Sequence, residues 1–400
     1  MPENTSTVAS QAKLSYQCLD IASSLSKNLA SNGTIILESQ ELNDPNLLKP
    51  ETYLMNIESG ETTPLSLQGE RLLDVTVSPN KKHFAFESVL HDRQNTILRD
   101  DLVISVSDGN RLKTIPWMKN WTNILGWLDN EHLLISVPDP KGTQLLINPF
   151  NAEQEFLRPD FLNLANTGKF RLPFWDGQDG IVYDPTLTRA VFTPILANTP
   201  NKKDEKVTFA IWDLSQQKLV ANLDKLIAVY ANLNIPLSIP RWNQDGSAFV
   251  FQTRVDPNGP YLAGETSLFQ ISRDGQVIQM LHLGHDFEIA ENSYHWSPDG
   301  RYVAMILTHG DSLSAQKGDI AVVDTQTMYL TNYCISINWA GRGYFGQPPV
   351  PIWSPDGKQF LVSDRDEAGH WRVILVDIEK NTAVQIATDM EAVGWMTNEP

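Results

Sequence analysis

The stretch HWSPDGRYVAMIL, residues 295–307, has a second copy in IWSPDGKQFLVSD at residues 352–364, with Trp-Ser-Pro-Asp-Gly identical in both. In both copies an aromatic residue precedes Ser-Pro-Asp-Gly, and an apolar run follows it. Ser-Pro-Asp-Gly is a turn sequence, because proline fixes φ at the second position and glycine tolerates a positive φ at the fourth. Each copy therefore predicts a β-hairpin closed by a tight turn.

Degenerate copies of this hairpin recur along the whole chain when they are aligned on the aromatic residue. The aligned positions are Val77, Trp127, Tyr183, Trp242, Trp296, Trp353 and Trp395. A period of about 50 residues is typical of architectures whose repeat is a small sheet. Third and fourth strands follow each hairpin, as in DIAVVDT and TAVQIAT. The repeat predicts a four-stranded β-propeller blade, with the aromatic residue filling the wedge between neighbouring blades.

The two ends of the chain fix the number of blades. The last repeat, GWMTNEP at 394–400, supplies only an inner strand, whereas NGTIILES at 32–39 matches DGKQFLVS at 356–363 in frame. One blade is therefore predicted to be shared between the termini, which closes the ring and removes its free sheet edges. With six internal blades, we predict an all-β, seven-bladed propeller over residues 31–400, preceded by an extension of residues 1–30.

Residues 12–30 show a different pattern from the repeats. Apolar side chains recur there at helical spacing, at Leu14, Cys18, Ile21, Leu25 and Leu29. This spacing predicts a short amphipathic helix that packs across one face of the ring or binds a partner.

The repeats also carry a family resemblance. WSPDGRYVAMI and WSPDGKQFLVSDRDEAGHWRVILVDIEK resemble the repeats of TolB-type propellers, which also form the propeller domains of prolyl-oligopeptidase-like enzymes. The resemblance covers residues 31–400 and implies the fold; the repeat residues build a scaffold and carry no function with them. TolB has an α/β domain before a six-bladed propeller, whereas about 30 residues precede the first strand here and seven blades are counted.

Composition narrows the classes of partner. The chain of 400 residues has a net charge of −17 and no run of lysine or arginine. Such a chain repels phosphate backbones and anionic membrane surfaces, so neither nucleic acid nor a membrane is predicted as a partner. No apolar stretch is long enough to span a bilayer. Oligomeric state is left open.

Cysteine content and the N-terminal residues leave the cellular compartment open. The two cysteines, Cys18 and Cys334, permit one disulfide without implying it. The opening residues MPENTSTVASQAK lack the basic and apolar regions of a signal peptide. The chain as written is therefore expected in the cytoplasm, or in the periplasm or outside the cell if a signal has been removed.

No enzyme motif is present in the sequence. A nucleophile elbow, a phosphate loop, a Cys-x-x-Cys pair and His-Glu-x-x-His are all missing, so we predict no catalytic residue, cofactor or metal. One alternative remains open. Propeller lyases that act on oligogalacturonate share this repeat type and bind a divalent metal through histidines. The resemblance therefore offers a metal-dependent lyase with a channel site near His282, His285 and His295, beside His309.

The lengths of the loops point to a binding surface. Loops between first and second strands, and between third and fourth, are short and share one face; the remaining loops are long and share the other, which we call the long-loop face. Function resides preferentially in such loops, and aromatic residues and arginine dominate binding centres. We predict a non-enzymatic platform for another protein or an extended ligand. Its candidate residues are Phe170, Arg171, Phe174, Trp175, Trp339, Arg342, Tyr344 and Phe345. The competing interpretation is that these aromatics fold inward and cap their own blades.

Overall fold

Seven antiparallel sheets, each with four principal strands, form the blades of a ring, as the sequence predicts. In this computed structural model, every regular element of the described residues is a β-strand. The structure describes residues 10–11, 13–23, 33–39, 51–65, 70–91, 97–119, 121–137, 144–157, 170–171, 181–192, 195–196, 206–223, 229–230, 239–254, 266–283, 286–290, 292–309, 316–340 and 348–398. No helix among them is long and apolar enough to cross a membrane.

The strands follow one another blade by blade. The N-terminal segment forms β1 (Ser10–Gln11), β2 (Lys13–Tyr16) and β3 (Ile21–Ala22). Blade one begins with β4 (Thr34–Ser39), β5 (Thr52–Asn56) and β6 (Thr62–Pro64). Blade two comprises β7 (Glu70–Val77), β8 (Phe84–His91), β9 (Ile97–Ser105) and β10 (Arg111–Pro116). Blade three comprises β11 (Ile124–Trp127), β12 (Leu133–Ser136), β13 (Gln144–Asn148) and β14 (Glu153–Leu157).

Blade four carries an additional small sheet among its connections. In chain order this region forms β15 (Phe170–Arg171), β16 (Ile181–Tyr183), β17 (Arg189–Phe192), β18 (Ile195–Leu196), β19 (Lys206–Val207), β20 (Ala210–Asp213), β21 (Lys218–Asn222) and β22 (Val229–Tyr230). The blade itself has the order β16-β17-β20-β21, and the small sheet has the order β15-β18-β19-β22.

The last three blades complete the ring. Blade five comprises β23 (Arg241–Trp242), β24 (Ala248–Arg254), β25 (Thr266–Ser272) and β26 (Val277–His282). Blade six comprises β27 (Phe287–Ile289), β28 (His295–Trp296), β29 (Tyr302–His309), β30 (Lys317–Asp324) and β31 (Tyr329–Asn338). Blade seven comprises β32 (Ile352–Trp353), β33 (Gln359–Arg365), β34 (Trp371–Asp377) and β35 (Thr382–Thr388), and β36 (Met390–Met396) returns to blade one.

Burial of a strand within a blade depends on its position, counted outward from the axis of the ring. All five residues of β13 and all four of β20 are buried, whereas four of the five residues of β14 are exposed. Middle strands are covered on both faces by neighbouring blades, so they take continuous apolar runs, whereas outer strands meet solvent. The core is therefore a series of apolar clusters between successive blades.

The shared blade predicted from the two termini is confirmed. Strand β36 pairs antiparallel with β4, with Trp395 opposite Ile35, and Trp395 is fully buried. A glycine permits this close approach, since a Cβ on Gly33 would lie 2.5 Å from the Met396 carbonyl oxygen and 2.6 Å from the indole nitrogen of Trp395. The ring is closed by hydrogen bonds between the ends of the chain.

The seven aligned aromatic or apolar positions all lie on inner strands, as predicted. Their indoles also connect successive blades. Trp296 Nε1 donates to the Arg241 carbonyl at 2.9 Å, and Trp353 Nε1 donates to the His295 carbonyl at 3.0 Å. Trp127 and Trp242 make the corresponding bonds to the blades that precede them. In blades two, four, five and six, the residue immediately before the aligned position is thus fixed through its backbone at the inner rim of the ring.

The prediction of a helix over residues 12–30 is wrong for the part that the structure describes. Strands β1, β2 and β3 pair parallel with the outer strands of blades five, six and seven. We call residues 10–22 the N-terminal strap. Leu14 and Ile21 contact the blade cores, so their spacing reflects two separate packing sites. Extended backbone is preferred because it satisfies hydrogen-bonding groups on three outer edges. Leu25 and Leu29 lie outside the described residues.

A disulfide fastens the strap to blade six. Cys18 and Cys334 are bonded with a Cα–Cα distance of 4.7 Å across 316 residues of sequence. Backbone bonds flank it, since Gln17 N donates to the Asn332 carbonyl and Leu19 N to the Tyr333 carbonyl. The bond that the cysteine count only permitted is present in the fold.

Candidate functional site

The predicted long-loop residues are placed only in part by the structure. Phe170 and Arg171 form β15, the first strand of the small sheet on blade four. Trp339 is 3% exposed and belongs to the apolar cluster between blades six and seven, so this side chain caps its own blade. Phe174, Trp175, Arg342, Tyr344 and Phe345 lie outside the described residues.

The neighbouring histidines that the structure describes, His282, His295 and His309, do not come together. His282 lies on β26, the outer strand of blade five, and its Nδ1 lies 2.8 Å from the Ser267 hydroxyl. His295 lies on the inner strand β28, and His309 pairs with Asp319 at 2.9 Å while its side chain is 57% exposed. His285 is outside the described residues. Across the part of the chain that the structure describes, no three His, Cys, Asp or Glu residues group as a metal site would require.

A different cluster lies at the inner rim of the ring. Arg241 begins the inner strand of blade five, and His295 begins that of blade six, each directly before its blade Trp. Burial, together with the positive charges of Arg241 and Lys81, lowers the pKa of His295 to about 3. Lys81 belongs to blade two, which is separated from blade six by blades seven and one on one side. Its charge therefore acts on His295 across the central channel.

We call Lys81, Arg241 and His295 the channel cluster. The Nη2 of Arg241 lies 3.5 Å from the Asn292 carbonyl, and its buried Nε has no hydrogen-bond partner in the described chain. Burial lowers the pKa of Arg241 and brings that of Lys81 to about 8. No carboxylate of the described residues forms an ion pair with any member of the cluster. The cluster concentrates positive charge within an acidic protein.

Lys81 occupies a backbone position that blades five, six and seven give to glycine and that blade four gives to Leu187. Its N–H closes the first turn of blade two onto the Ser78 carbonyl, as Gly300 and Gly357 do in blades six and seven. Its φ is 62°, against 70° for both glycines. A side chain in this left-handed region costs about 1 kcal/mol, which glycine avoids. The lysine is therefore not explained by the needs of the turn.

The carboxylates of the same face are engaged in their own turns. Asp299 Oδ1 accepts from the Ser297 hydroxyl at 2.5 Å and from Arg301 N at 3.1 Å. Asp356 accepts in the same way from Ser354 and Lys358 N. Asp74 lies within the inner strand β7 rather than in a turn; burial raises the pKa of its carboxyl, which accepts from Ile124 N of blade three at 3.1 Å. These carboxylates accept hydrogen bonds from nearby backbone and hydroxyl groups. They do not neutralise the positive charge of the channel cluster.

A separate concavity of about 700 Å³ lies where blade one meets blade two. Lys82 and His83 line it beside Glu61 and Asp108, so charges of both signs share its wall. This mixture favours no single class of ligand. It lies on the same face as the first turns, outside the ring of inner strands.

The pKa values of the channel cluster make a direct prediction. Lys81 should titrate near pH 8, because burial penalises its charged form, whereas ordinary lysines titrate near pH 10.4. At pH 8 its neutral amine fraction should exceed that of an ordinary lysine by about 100-fold. Reductive ¹³C-methylation followed by NMR titration measures this value, with the exposed Lys358 as the internal control. A Lys81 signal that titrates with the bulk lysines would contradict the cluster.

The same shifts determine the direction of the pH effect on stability. The folded-state pKa of Lys81 lies below its unfolded value, so the penalty for burying its charge is present below pH 8 and is relieved as pH rises toward 10.4. For His295, the unfolded chain takes up a proton below about pH 6.5 that the folded chain takes up only near pH 3. Both groups therefore make the protein less stable as pH falls through these windows.

Solved structures with this architecture are propellers of several kinds. Oligogalacturonate lyase from Vibrio parahaemolyticus aligns with a TM-score of 0.50 at 12% identity, covering 89% of this chain and 86% of that one. TolB from Acinetobacter baumannii aligns with a TM-score of 0.42 at 12% identity, covering 92% of this chain and 67% of that one. The propeller domain of Cps50 (Swd1) from Myceliophteria thermophila gives 0.43 at 11% identity, covering 86% and 96%.

These similarities concern the fold alone. At such identities the chain is a seven-bladed β-propeller with TolB-like and other propeller neighbours, and no residue role is transferred from them. No family model and no curated protein matches the chain. Of the three histidines named for the lyase alternative, His282 lies on an outer strand, His295 lies on an inner strand, and His285 lies outside the described residues.

Proposed function

We propose that this propeller is a non-enzymatic platform that binds another protein, or an extended ligand, through its long-loop face. The observation that supports the proposal is the small sheet β15-β18-β19-β22 on blade four. Its strands come from three of the long connections: the one into blade four, the loop between its second and third strands, and the one leading to blade five. A structured element built from loops is a usual place for a binding surface.

The two faces of the ring differ in construction. The face opposite the long-loop face carries the turns between first and second strands, and we call it the turn face. There the first hairpin of each blade is closed within a few residues; Gly357 N, for example, donates to the Ser354 carbonyl at 3.0 Å. Such turns leave little backbone for a partner to contact. The long-loop face carries the connections that hold the aromatic and arginine side chains of the predicted binding residues. Aromatic residues and arginine are the side chains that most often dominate binding energy.

The small sheet also offers a mode of recognition. Among the described strands, β15 and β22 are its two edges. An exposed sheet edge can accept a strand from a partner, with main-chain hydrogen bonds supplying affinity. Phe170 and Arg171 lie on the edge strand β15. An extended segment of another protein is the occupant that this arrangement suits.

Two double variants test the platform. Arg342→Ala with Tyr344→Ala, and Phe170→Ala with Arg171→Ala, should each weaken capture of the native partner at least tenfold, since hot-spot side chains contribute about 2 kcal/mol or more. Partners are captured from the native organism with wild-type protein, identified by mass spectrometry, and then titrated as purified proteins against each variant. Melting temperatures should stay within about 3 °C of wild type.

The matched control lies on the opposite face. Lys358→Ala removes an exposed turn-face charge whose partner is the equally exposed Glu379, so binding and stability should both be unchanged. If the long-loop variants bind as wild type does, or if only turn-face changes weaken binding, the platform lies elsewhere.

A further inference from the structure

We propose that the channel cluster is a binding site for a small oxyanion that also carries a hydroxyl group, such as hydrogen phosphate or a hydroxycarboxylate. This site lies at the turn-face end of the channel, since Arg241 and His295 directly precede the first turns of blades five and six and Lys81 belongs to the first turn of blade two. It is independent of the long-loop platform, which occupies the opposite face.

Three groups from three blades supply the recognition. The buried Nε of Arg241 has no hydrogen-bond partner in the described chain, and an arginine fork matches the oxygens of a carboxylate or phosphate. The Lys81 ammonium acts across the channel from the opposite side of the ring. Arg241 and His295 lie on the neighbouring inner strands of blades five and six, and Lys81 lies in the first turn of blade two, so a ligand held between them would be enclosed by the inner rim.

His295 adds a requirement for a hydroxyl donor. Its Nδ1 lies 3.0 Å from the Trp296 carbonyl, and because a carbonyl can only accept, Nδ1 carries the proton. In the neutral ring Nε2 is then an acceptor, and it has no hydrogen-bond partner among the described residues. Hydrogen phosphate and hydroxycarboxylates can donate to it, whereas sulfate at neutral pH has no proton to give.

The backbone at these three residues is held by contacts that a ligand would not need to reorganise. The Arg241 and His295 carbonyls accept from the indoles of Trp296 and Trp353, respectively. The Lys81 carbonyl accepts from Thr397 N at 2.9 Å, in the segment that follows β36. A preorganised set of donors binds an anion without the cost of ordering them.

The net charge of −17 does not oppose such a site. Charges farther away than a Debye length, about 8 Å at physiological salt, are largely screened, so the nearest groups dominate the potential. The acidic surface repels long polyanions, whereas a small anion inside the channel meets the cluster first. Size therefore separates the ligands that can enter from those that cannot.

Calorimetric titration of the full chain with inorganic phosphate, citrate and sulfate tests the proposal. Phosphate or citrate should bind at about one per chain, and sulfate at least tenfold more weakly. Arg241→Met and Lys81→Gly should each weaken binding at least tenfold, the loss expected when a charged hydrogen-bonding group is removed. Binding of phosphate but not citrate, or the reverse, identifies which oxyanion chemistry the site takes.

Two matched controls keep the result interpretable. Lys81→Gly gives the turn the residue that blades five, six and seven already use, so its melting temperature should stay within about 3 °C of wild type. Lys358→Met removes the same charge from the turn of blade seven and should bind normally. In wild type, the bound anion should also protect Lys81 from reductive methylation and shift the imidazole ¹⁵N signals of His295.

Three results would overturn the site. The first is that neither phosphate nor citrate binds at concentrations up to about 20 mM. The second is that wild type, Arg241→Met and Lys81→Gly bind the anion with equal affinity. The third is that sulfate binds as tightly as phosphate and citrate. Should Arg241→Met fail to fold, Lys81→Gly and the two wild-type labelling measurements still decide the outcome.

Discussion

Replacement of Trp395 by alanine is expected to lower the free energy of unfolding by about 3–5 kcal/mol, the cost of removing a buried tryptophan. The side chain is fully buried in the cluster that joins blades seven and one, with Ile35 opposite it in the register. Because the strand that carries it closes the ring, deletion of residues 390–400 is expected to have a larger effect. It removes the inner strand of blade one and exposes the edge of β4.

Urea unfolding followed by circular dichroism measures both changes. The point variant should retain a cooperative transition at a lower midpoint, whereas the truncated chain should lose cooperativity. Leu112→Ala is the control, since that side chain is 52% exposed on an outer strand and its loss should cost less than about 0.5 kcal/mol. A truncated chain that unfolds like the intact one would show that the shared blade does not hold the ring closed.

Loss of the Cys18–Cys334 disulfide is expected to be the second largest effect, about 2–4 kcal/mol. The bond closes a segment of 316 residues, and in the chain-entropy account longer segments give larger stabilisation of the folded state. Cys18→Ser should also release the N-terminal strap, because only a few parallel pairs would then hold each of its strands. Disulfides persist in oxidising compartments; in a reducing cytosol both residues would be thiols.

Hydrogen exchange locates the effect. Amide protection should fall at residues 13–16 in Cys18→Ser, while β33 and β34 in the centre of blade seven keep theirs. Adding a reductant to wild type should reproduce the change, and adding it to Cys18→Ser should do nothing. Unchanged protection of the strap after reduction would mean that strand pairing alone secures it.

Local sequence was sufficient to predict a structural feature wherever the cause of that feature was also local. The turns that follow the inner strands of blades six and seven come from Ser-Pro-Asp-Gly, and the four strands of blade seven were predicted from its own repeat. The match between NGTIILES and DGKQFLVS predicted that β4 pairs with β36, because a closed propeller must pair the last strand of the chain with a strand of the first blade. The aromatic residues could be assigned to inner strands since every blade repeats the same wedge.

The strap was misread because its partners are distant. Leu14 and Ile21 are seven residues apart, a spacing that fits a helix as well as two contacts with successive blade cores. Only the tertiary structure shows that the outer edges of three blades offer hydrogen bonds to this segment. The sequence left the metal-binding alternative at His282, His285 and His295 open for a related reason, since residues close in sequence can lie on the inner and outer strands of a blade.

The sequence by itself therefore determined the seven-bladed ring and its closure, because each repeat carries its own turn, its own aromatic wedge and its own strand pattern. The tertiary structure decided the strap and the channel cluster. One local signal for the cluster was present, since Lys81 stands where Ser-Pro-Asp-Gly places glycine. Its meaning depended on Arg241 and His295, which lie more than 150 residues away and meet it only across the axis of a closed ring. The charges converge there because a ring arranges its inner strands around one axis. No single repeat carries more than one member of the cluster, so no repeat predicts it alone.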